Sequence, residues 1–482
     1  MKKILLIIVL FCLYETVNAQ QWQLKTYADS KALQFRNEVT NVGFIGGDVD
    51  KFYLLRRYPK NEAPYLVAYD SNLVELWHKD LASGDGVLYY GGFLNEKTID
   101  LLVTERDDNS FKAFHESHSV LVPNAEVTRT ELFAISGSDS KKMKMTLRSS
   151  QSGEWTGTMY VLPGKDNAEA NVVLYDTELD EMWSMEVALG TVDDYFVSDS
   201  GEVVFAGFFK EDGILETYLE FTVLDGEREH TYTSSINEGD LYRIDIVKYE
   251  NGKIYCTGLM KGEKQDDKDD WSSGFFSLVF DTKKKEVEYF EKQAFTKTDI
   301  CRLCNVADRS RLRVLTTDKM AYADSRFDKG GATVAYERYY NVYVNGGYSQ
   351  TVMEGILTFR IDNQGHLRWN NISRRQLTNA DFGKLTTTRM IESDNKQYLV
   401  TYDMPSNAKV SPEKPVRIVG SADPKLHMMI LSFDISGAAT RNYLTMPSKT
   451  MAVGAPHRLN DGRYLMLFAG NRHSSAAVLY ND

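Results

Sequence analysis

Short apolar strands separated by tight polar turns recur along this chain. The clearest element is an apolar strand ending in Asp or Asn, then a turn, then a strand that carries an aromatic side chain. Alternation of apolar and polar positions over such short runs predicts β-strands, and no long stretch has the 3.6-residue periodicity of a helix. The clear copies begin at Tyr65, Asn171, Phe276, Leu357 and Met429, and weaker copies begin at Ser119 and Leu219.

The spacing within this element is regular. In three copies a Trp follows the Asp by seven residues, so the aromatic side chain occupies the same place in each repeat. This spacing joins Asp70 to Trp77, Asp176 to Trp183, and Asp362 to Trp369.

A second element precedes the copies: a strand, a turn rich in Asp, Asn, Gly or Ser, and another strand. Asn-Gly and Asp-Gly between alternating apolar residues are strong signals for two-stranded hairpins. Each repeat is therefore predicted to form four short antiparallel strands. One such sheet cannot bury both of its faces, but sheets stacked around an axis can, which is the β-propeller arrangement. These hairpins include those at Val197, Lys248, Ile391 and Leu459.

The number of aromatic outer strands predicts eight blades. The first of these strands has no partner strands before it, and the last three strands of the chain have no outer strand after them. The segment 21–30 would supply the missing strand and close the ring without an exposed sheet edge. We therefore predict an all-β fold, a single propeller of eight four-stranded blades, with seven blades as the alternative. The eight aromatic residues are Trp22, Trp77, Phe133, Trp183, Tyr232, Tyr289, Trp369 and Tyr443.

The Asp-to-Trp strand pair and the strand Gly252-Lys-Ile-Tyr255 resemble the quinoprotein-like repeats of quinoprotein dehydrogenases and of the propeller lipoprotein of outer-membrane assembly. Those repeats carry Thr-Gly before the Trp strand, where this chain has pairs such as Asn72-Leu73. The resemblance implies the propeller fold. It does not imply quinone chemistry, because this chain lacks the adjacent Cys pair that contacts the cofactor in those dehydrogenases. We expect no cofactor.

The N-terminus has the features of a signal peptide over residues 1–19. Lys2 and Lys3 precede an apolar stretch that is too short to span a bilayer, and Val17-Asn18-Ala19 fits the small-residue cleavage pattern. We therefore expect export to the periplasm or the outside, with no transmembrane anchor in the mature form. A length of 482 residues would usually indicate several domains. The repeats instead favour one domain over residues 20–482.

Composition excludes some classes of function. With 43% hydrophobic and 26% charged residues, the chain is not disordered as a whole. A formal net charge of −12 argues against nucleic-acid binding, because an acidic protein repels phosphate backbones.

Three cysteines remain after the predicted cleavage: Cys256, Cys301 and Cys304. Three cysteines cannot form a disulfide framework. The CxxC of Cys301 and Cys304 falls in a predicted inner strand, where residues three apart point to opposite faces, so a metal or redox site is not expected. The alternatives are buried thiols or one disulfide that joins Cys256 to Cys301 or Cys304.

The long loops are predicted to share one face of the disc. In a four-stranded blade, the loops between strands two and three and between blades lie on one face, and the remaining turns lie on the other. The turns are short, whereas insertions are predicted at 106–116, 261–274, 317–355 and 403–425. Loops on a rigid scaffold commonly carry function. We call this loop-bearing side the decorated face.

The insertion at 317–355 is the richest in Tyr and Arg, which are common anchors of protein interfaces. The alternative is an added hairpin over 331–351 that packs its Tyr side chains on the blade, and the two interpretations are compatible. One candidate partner-binding residue, Trp271, comes from the insertion at 261–274. The others come from 317–355 and are Tyr322, Arg326, Phe327, Tyr336, Arg338, Tyr339 and Tyr340.

Two other clusters carry no site. The Asp residues at 266–270 lack the spacing and the Gly of an EF-hand calcium loop. His115 and His118 are three apart on a predicted strand, which suits no metal. No catalytic or metal-binding residue is therefore predicted.

The sequence favours a non-catalytic, exported scaffold of the bacterial envelope that binds an envelope or extracellular protein through its decorated face. The alternative is a carbohydrate-binding or glycan-active propeller. A glycan is therefore a second expected type of ligand, whereas a quinone-type oxidoreductase is the least favoured function.

Overall fold

A computed structural model describes most of the chain from Trp22 to Asn481. The predicted signal peptide lies outside the described residues. These residues are 22–26, 42–48, 50–56, 64–70, 72, 74–84, 86–162, 168–190, 192–210, 217–236, 240–261, 273–306, 320–344, 348–379, 388–393, 396–410, 414–417, 419–420, 423, 425–446, 451–452, 456–459, 462–469 and 474–481.

The described strands form eight sheets that follow one another along the chain. Six of these sheets are four-stranded antiparallel meanders, whereas blade six has two extra strands and blade eight takes its outer strand from the start of the chain. Strand β1 (Trp22–Thr26) belongs to blade eight. Blade one comprises β2 (Val42–Gly47), β3 (Lys51–Arg56), β4 (Tyr65–Asp70) and β5 (Glu75–Asp80), and blade two comprises β6 (Leu88–Leu94), β7 (Thr98–Arg106), β8 (Ser110–Ser119) and β9 (Thr128–Ser136). Blade three comprises β10 (Lys144–Ser149), β11 (Thr156–Leu162), β12 (Ala168–Tyr175) and β13 (Glu181–Leu189), and blade four comprises β14 (Asp194–Val197), β15 (Val203–Lys210), β16 (Thr217–Leu224) and β17 (Glu229–Ile236).

The second half continues the pattern, with two extra strands in blade six. Its strands are β18 (Asp240–Glu250), β19 (Lys253–Lys261), β20 (Gly274–Asp281) and β21 (Glu286–Ala294) in blade five; β22 (Met320–Asp328), β23 (Gly331–Val344), β24 (Tyr348–Ile361), β25 (Leu367–Ser373), β26 (Leu377–Asn379) and β29 (Val419–Gly420) in blade six; β27 (Arg389–Ser393), β28 (Lys396–Asp403), β30 (His427–Phe433) and β31 (Ala439–Leu444) in blade seven; and β32 (Met451–Ala452), β33 (His457–Arg458), β34 (Tyr464–Ala469) and β35 (Ser474–Asn481) in blade eight.

The two ends of the chain close the ring, as the sequence predicts. Strand β1 pairs antiparallel with β35, with Trp22 opposite Asn481, and so becomes the outer strand of blade eight. On the inner side, the ring of Phe44 in β2 stacks on His457 in β33 at 4.8 Å. First strands of neighbouring blades also contact one another, which places them around the central channel. The structure therefore confirms an all-β propeller of eight blades.

The recurring Asp closes the turn between the third and fourth strands. In blade seven, Asp434 Oδ1 accepts hydrogen bonds from the backbone N–H groups of Ser436 at 2.8 Å and Ala438 at 3.0 Å. Asp362 holds the corresponding turn of blade six in the same way. Such side-chain acceptors stabilise turns because they satisfy backbone donors that the sheet leaves unpaired.

An aromatic side chain of each of several outer strands packs against a glycine in the next blade's turn. We call this contact the inter-blade latch. The latch from blade six to blade seven places Trp369 against Gly437, where a Cβ atom would lie 2.8 Å from the Trp369 Cβ. Asn371 Nδ2 also donates to the Gly437 carbonyl at 3.1 Å. At this junction the latch accounts for both the Trp of blade six and the turn glycine of blade seven.

The same contact recurs at other junctions. A Cβ atom on Gly226 of blade four would lie 2.7 Å from the Trp183 ring of blade three. Gly365 of blade six packs beside Tyr289 of blade five, and Ser277 Oγ donates to its carbonyl at 2.6 Å. Apolar side chains fill the space between neighbouring sheets. Each buried large side chain contributes about 2 kcal/mol to this packing.

Two predicted loop insertions are corrected by the structure. Most of 317–355 is not a loop: residues 320–328, 331–344 and 348–355 belong to β22, β23 and β24. The added hairpin considered as an alternative is therefore part of the blade itself. The segment 106–116 contains only a tight turn between β7 and β8, closed by Asp107. Most of the insertion predicted at 261–274 lies outside the described residues.

The inner strand of blade six begins later than the sequence suggested, because the CxxC segment forms a helix. Helix α1 (Lys297–Leu303) starts at a capping box in which Asp299 N donates to Thr296 Oγ1 at 3.2 Å. The prediction of a strand here is wrong, since this cap favours a helical turn. Elsewhere in the described ranges, helix is limited to 3₁₀ turns at 138–141 and 405–409.

The three cysteines form no disulfide in the structure. Cys256 lies on β19, whereas Cys301 and Cys304 lie on and beside α1. Burial raises the pKa of the Cys256 thiol well above its usual value. Of the two sequence-based alternatives, the structure supports thiols.

In the described part of the chain, no helix is both long and apolar enough to span a bilayer.

Replacing Gly437 by Ala tests the inter-blade latch. Gly437 has φ 81° and Gly462 has φ 84°, but a Cβ on Gly462 would meet nothing within 4 Å. We expect Gly462→Ala to cost about 1 kcal/mol for the left-handed backbone alone. Gly437→Ala should cost about 1–3 kcal/mol more, because the methyl group collides with Trp369. Chemical denaturation of both variants measures the difference, and equal losses would contradict the latch.

Candidate functional site

Blade six extends beyond the other blades on the decorated face. Strands β23 and β24 have 14 residues each. The inner strand β22 pairs with β23 only as far as Arg338, and β23 continues from Tyr339 to Val344 paired with β24. Strand β26 pairs with β24, and β29 pairs parallel with β26. We call residues 339–344, 348–353, 377–379 and 419–420 the blade-six platform.

A fully buried arginine lies beneath this platform. Arg375 is 0% exposed, and its guanidinium donates to Glu337 and to the hydroxyls of Thr388 and Thr401. Burial lowers the pKa of Arg375 to about 9, although Asp403 nearby acts in the opposite direction. Removing one partner of such a pair is costly, because it leaves a buried charge uncompensated. The network therefore holds the strands of blades six and seven in one arrangement.

A second buried ion pair reaches the platform itself. Arg338 pairs with Glu354, and both side chains are buried. Tyr340 donates its hydroxyl to Glu354 Oε1 at 3.0 Å, and Gln376 Nε2 donates to the same atom at 3.3 Å. These contacts join both long strands to the segment before β26.

Asn305, just after α1, ties two further segments to the platform. Its amide nitrogen donates to Gln376 Oε1 at 2.6 Å and to the Val416 carbonyl at 3.0 Å. Its amide oxygen accepts from Val416 N at 2.7 Å. The segment between β28 and β30 is thus attached to α1 through one side chain that makes three hydrogen bonds. Asn305 has φ 48°, a left-handed conformation that Asn tolerates well.

The predicted partner-binding residues separate into three groups. The structure buries Tyr336 and Arg338 in the blade, so they are not surface anchors. It places Tyr322, Arg326 and Phe327 half-buried on the inner strand β22, and Tyr340 half-buried on the platform. Tyr339 is 46% exposed on the platform. Trp271 lies outside the described residues.

A charged arc follows the inner strands of blades three to seven. Asp194, Asp245 and Asp324 occupy one register position on three consecutive blades, and Arg389 occupies it on blade seven. We call these residues, together with Arg148 and Arg243, the channel arc. The four residues in this register position lie opposite equivalent positions of the second strand of each blade. The pairs are Asp194 with Ala206, Asp245 with Thr257, Asp324 with Ala335, and Arg389 with Val400.

Asp194 connects three blades. Its Oδ1 accepts from Arg148 Nη1 of blade three at 2.7 Å, and its Oδ2 accepts from Ile246 N of blade five at 2.8 Å. Burial raises the pKa of Asp194 to about 6, against the opposing effect of Arg148. Arg148 also donates to the Tyr195 carbonyl of blade four.

Asp245 is held by a neighbour on its own strand and by a tyrosine of blade six. Arg243 Nε donates to both carboxyl oxygens at 2.7 Å. Tyr336 donates its hydroxyl to Asp245 Oδ2 at 2.8 Å and lies 3.1 Å from Thr257 Oγ1. Burial, with Asp245 next in effect, raises the pKa of Tyr336 well above its usual value. Tyr336 therefore joins blades five and six.

Asp324 and Arg389 make reciprocal contacts between blades six and seven. Asp324 Oδ2 accepts from Met390 N at 2.9 Å, and Arg389 Nη1 donates to the Ala323 carbonyl at 3.0 Å. Burial raises the pKa of Asp324, whereas it lowers that of His457 in blade eight to about 4, helped by the charge of Arg389. His457 is therefore neutral at pH 7.

The channel arc has a structural role that follows from its position. Inner strands lie at a sheet edge, where backbone groups have no strand partner. Asp194, Asp324, Arg148 and Arg389 satisfy such groups on neighbouring blades. The carboxyls of the arc thus have assigned partners, and Asp245 is only 1% exposed. Such an arrangement fixes the positions of these side chains in the channel wall. Among the described residues, no three His, Cys, Asp or Glu side chains form a metal-ligand cluster.

Two exposed apolar side chains lie on the inner strand of blade two, beside the arc. Leu88 is 47% exposed and Tyr90 is 36% exposed. A Cβ on Gly91 of the same strand would meet nothing within 4 Å, so there is open space beside it. Within the arc, the side chains of Arg148 and Arg243 are 39% and 35% exposed.

Comparisons with known proteins identify no family for this chain. No family model and no curated protein matches it. The polysaccharide lyase Uly1 aligns over 96% of this chain and 99% of its own, with 11% identity and a TM-score of 0.33. The Dos1 propeller aligns over 94% of each chain with 10% identity and a TM-score of 0.33. A mutant Synechocystis apocarotenoid oxygenase covers 96% and 93%, with 8% identity and a TM-score of 0.33. Similarity this low carries no functional argument.

The pKa of Asp194 predicts a pH dependence of stability. Because the folded value is raised from 3.8 to about 6, the folded state binds this proton more tightly. The resulting stabilisation is present below about pH 4 and is lost as the pH rises to about 6. Relative to Asp194→Asn, the free energy of unfolding of the wild type should fall by on the order of 2 kcal/mol across this window.

Asp362 supplies a control of opposite sign. Burial acts to raise the pKa of Asp362, but its hydrogen bonds outweigh burial and hold the pKa below the usual 3.8. Its contribution is present above about pH 4 and is lost as the pH falls through the lowered value. Denaturation of the wild type, Asp194→Asn and Asp362→Asn from pH 3 to pH 7 measures both effects. Parallel curves for the wild type and Asp194→Asn would contradict the assignment.

Proposed function

We propose that this protein is an exported, non-catalytic binding propeller whose blade-six platform holds a protein partner. In this proposal the signal peptide at 1–19 directs the chain to the periplasm or the outside. The supporting observation is the extension of β23 and β24 beyond the inner strand, supported by two added strands.

The buried contacts beneath the platform support this proposal. Ion pairs such as Arg375–Glu337 and Arg338–Glu354 require desolvation of both charges, which apolar residues of similar size avoid. What they add is a defined geometry for strands that lie outside the regular blade. A fixed geometry benefits a surface that must match a partner.

The exposed side of the platform suits a protein interface. Tyr339 is 46% exposed, and Tyr contributes a large contact area at a small cost in side-chain entropy. Asn341, two residues along the same strand, is also exposed. In the described part of the chain, β23 pairs with no strand but β24 from Tyr339 to Val344, which leaves backbone groups for a partner.

Two substitutions of exposed apolar residues test the platform. Tyr339→Ser removes the anchor, whereas Ile435→Ser changes a 98% exposed residue in a turn on the opposite face. With the partner obtained by cross-linking in envelope extract and then purified, we expect Tyr339→Ser to weaken binding by about tenfold or more and Ile435→Ser to leave it unchanged. Calorimetric titration measures both.

A variant that joins Tyr340 to Val352, which are opposite each other, through an Asn-Gly turn should abolish binding. An unchanged melting temperature shows that the blades are intact. Equal binding by the shortened form would exclude the platform, and the absence of any cross-linked protein would count against the scaffold function itself.

The channel supports a second candidate function, recognition of an acidic glycan. Its walls combine half-exposed guanidinium groups of Arg148 and Arg243 with the exposed ring of Tyr90, and sugar rings bind to aromatic faces. On an array of acidic and neutral oligosaccharides, this function predicts binding to acidic members only.

Tyr90→Ala should weaken such binding by about three- to tenfold, the amount expected for one aromatic contact. Leu121→Ala, at a 71% exposed position outside the channel, should leave it unchanged. Binding that does not respond to Tyr90→Ala would remove the channel as the glycan site.

A further inference from the structure

A cavity of about 340 Å³ opens between blades two and three. Its apolar wall contains Phe133 and Ile135 from the outer strand of blade two, together with Met143 and Leu162. The ring of Phe133 lies flat on that of Tyr160, with centroids 4.3 Å apart and an angle of 9° between the planes. This volume lies within the range of small-molecule sites, which are mostly apolar with a few polar groups.

Two carboxylates stand at the opening. Glu169 on β12 and Glu186 on β13 both line the cavity and are exposed. They are diagonal neighbours across these paired strands, because Glu169 is opposite Ala188. Among the described residues, neither forms an ion pair with a Lys or Arg side chain. The described part of the opening therefore carries two carboxylates, which are complementary to a cation.

The junction that contains the cavity differs from the latched junctions. At the latches described above, an aromatic side chain packs against a turn glycine of the next blade. Here Phe133 packs on Tyr160 instead.

One residue of the cavity wall, Tyr160, belongs to a buried tyrosine pair. Tyr160 and Tyr175 are 1% and 0% exposed. Their hydroxyl groups interact with each other but have no other hydrogen-bond partner among the described residues.

We propose that this cavity binds a small organic ammonium ligand with an apolar body. The apolar part lies against Phe133, Tyr160 and Met143, and the cation lies between Glu169 and Glu186. The aromatic pair adds to the attraction, because its ring faces carry partial negative charge. This site is independent of the blade-six platform, which lies on another part of the ring.

Calorimetric titration of the full chain tests the proposal with two probes of equal shape. The probes are 2-phenylethylammonium and the neutral 2-phenylethanol. For probes of this size we expect dissociation constants of about 1 mM. The ammonium should bind about three- to tenfold more tightly than the alcohol, as expected for one or two exposed charge contacts.

Two sets of substitutions separate the parts of the site. Glu169→Gln with Glu186→Gln should remove the preference for the ammonium and leave the affinity for the alcohol unchanged. Ala188→Phe places a ring in the opening and should abolish binding of both probes. Glu178→Gln, in the turn at the other end of the same strands, is the matched control and should have no effect.

Three outcomes would overturn the proposal. They are equal affinity for the two probes, a preference for the ammonium that survives loss of Glu169 and Glu186, and no binding of either probe at 20-fold above the expected constant. Melting temperatures of all variants, compared with that of the wild type, show whether a loss of binding reflects unfolding.

Discussion

The propeller depends on the packing of an outer-strand aromatic residue under the turn of the next blade. No blade can bury both of its faces alone, so each requires a neighbour at a fixed angle. Trp369 against Gly437 and Trp183 against Gly226 supply that angle through contacts that a single methyl group would disrupt. The hydrogen bond from Asn371 to the Gly437 carbonyl fixes the position of the turn relative to the outer strand, which apolar packing alone does not determine.

The channel imposes a second constraint, because eight inner strands leave backbone groups at their edges. Several blades solve this with charged side chains: Asp194 and Asp324 accept backbone N–H groups of the following blade, and Arg389 donates to a carbonyl of the preceding one. Charges used in this way stabilise the ring through contacts between neighbouring blades. This is why shifted pKa values in the channel do not by themselves indicate an enzyme.

Blade six combines both constraints with an extension of its own. The hairpin of β23 and β24 leaves the regular sheet after Arg338, and the buried pairs of Arg338 and Arg375 begin where regular pairing with β22 ends. The fold thus concentrates costly interactions under one exposed surface. The cavity between blades two and three is a different kind of feature, produced where Phe133 packs on Tyr160 without a turn glycine.

The sequence by itself determined the repeat, the number of blades and the closing strand, because the Asp-to-Trp spacing and the Asn-Gly and Asp-Gly turns are local patterns that recur in several blades. It did not reveal that Tyr336 is buried against Asp245, or that the CxxC lies on a helix. Only the tertiary structure placed Asp194, Asp245 and Asp324 in one register. Blades differ in length, so equivalent positions have no constant spacing along the chain and meet only when the ring closes.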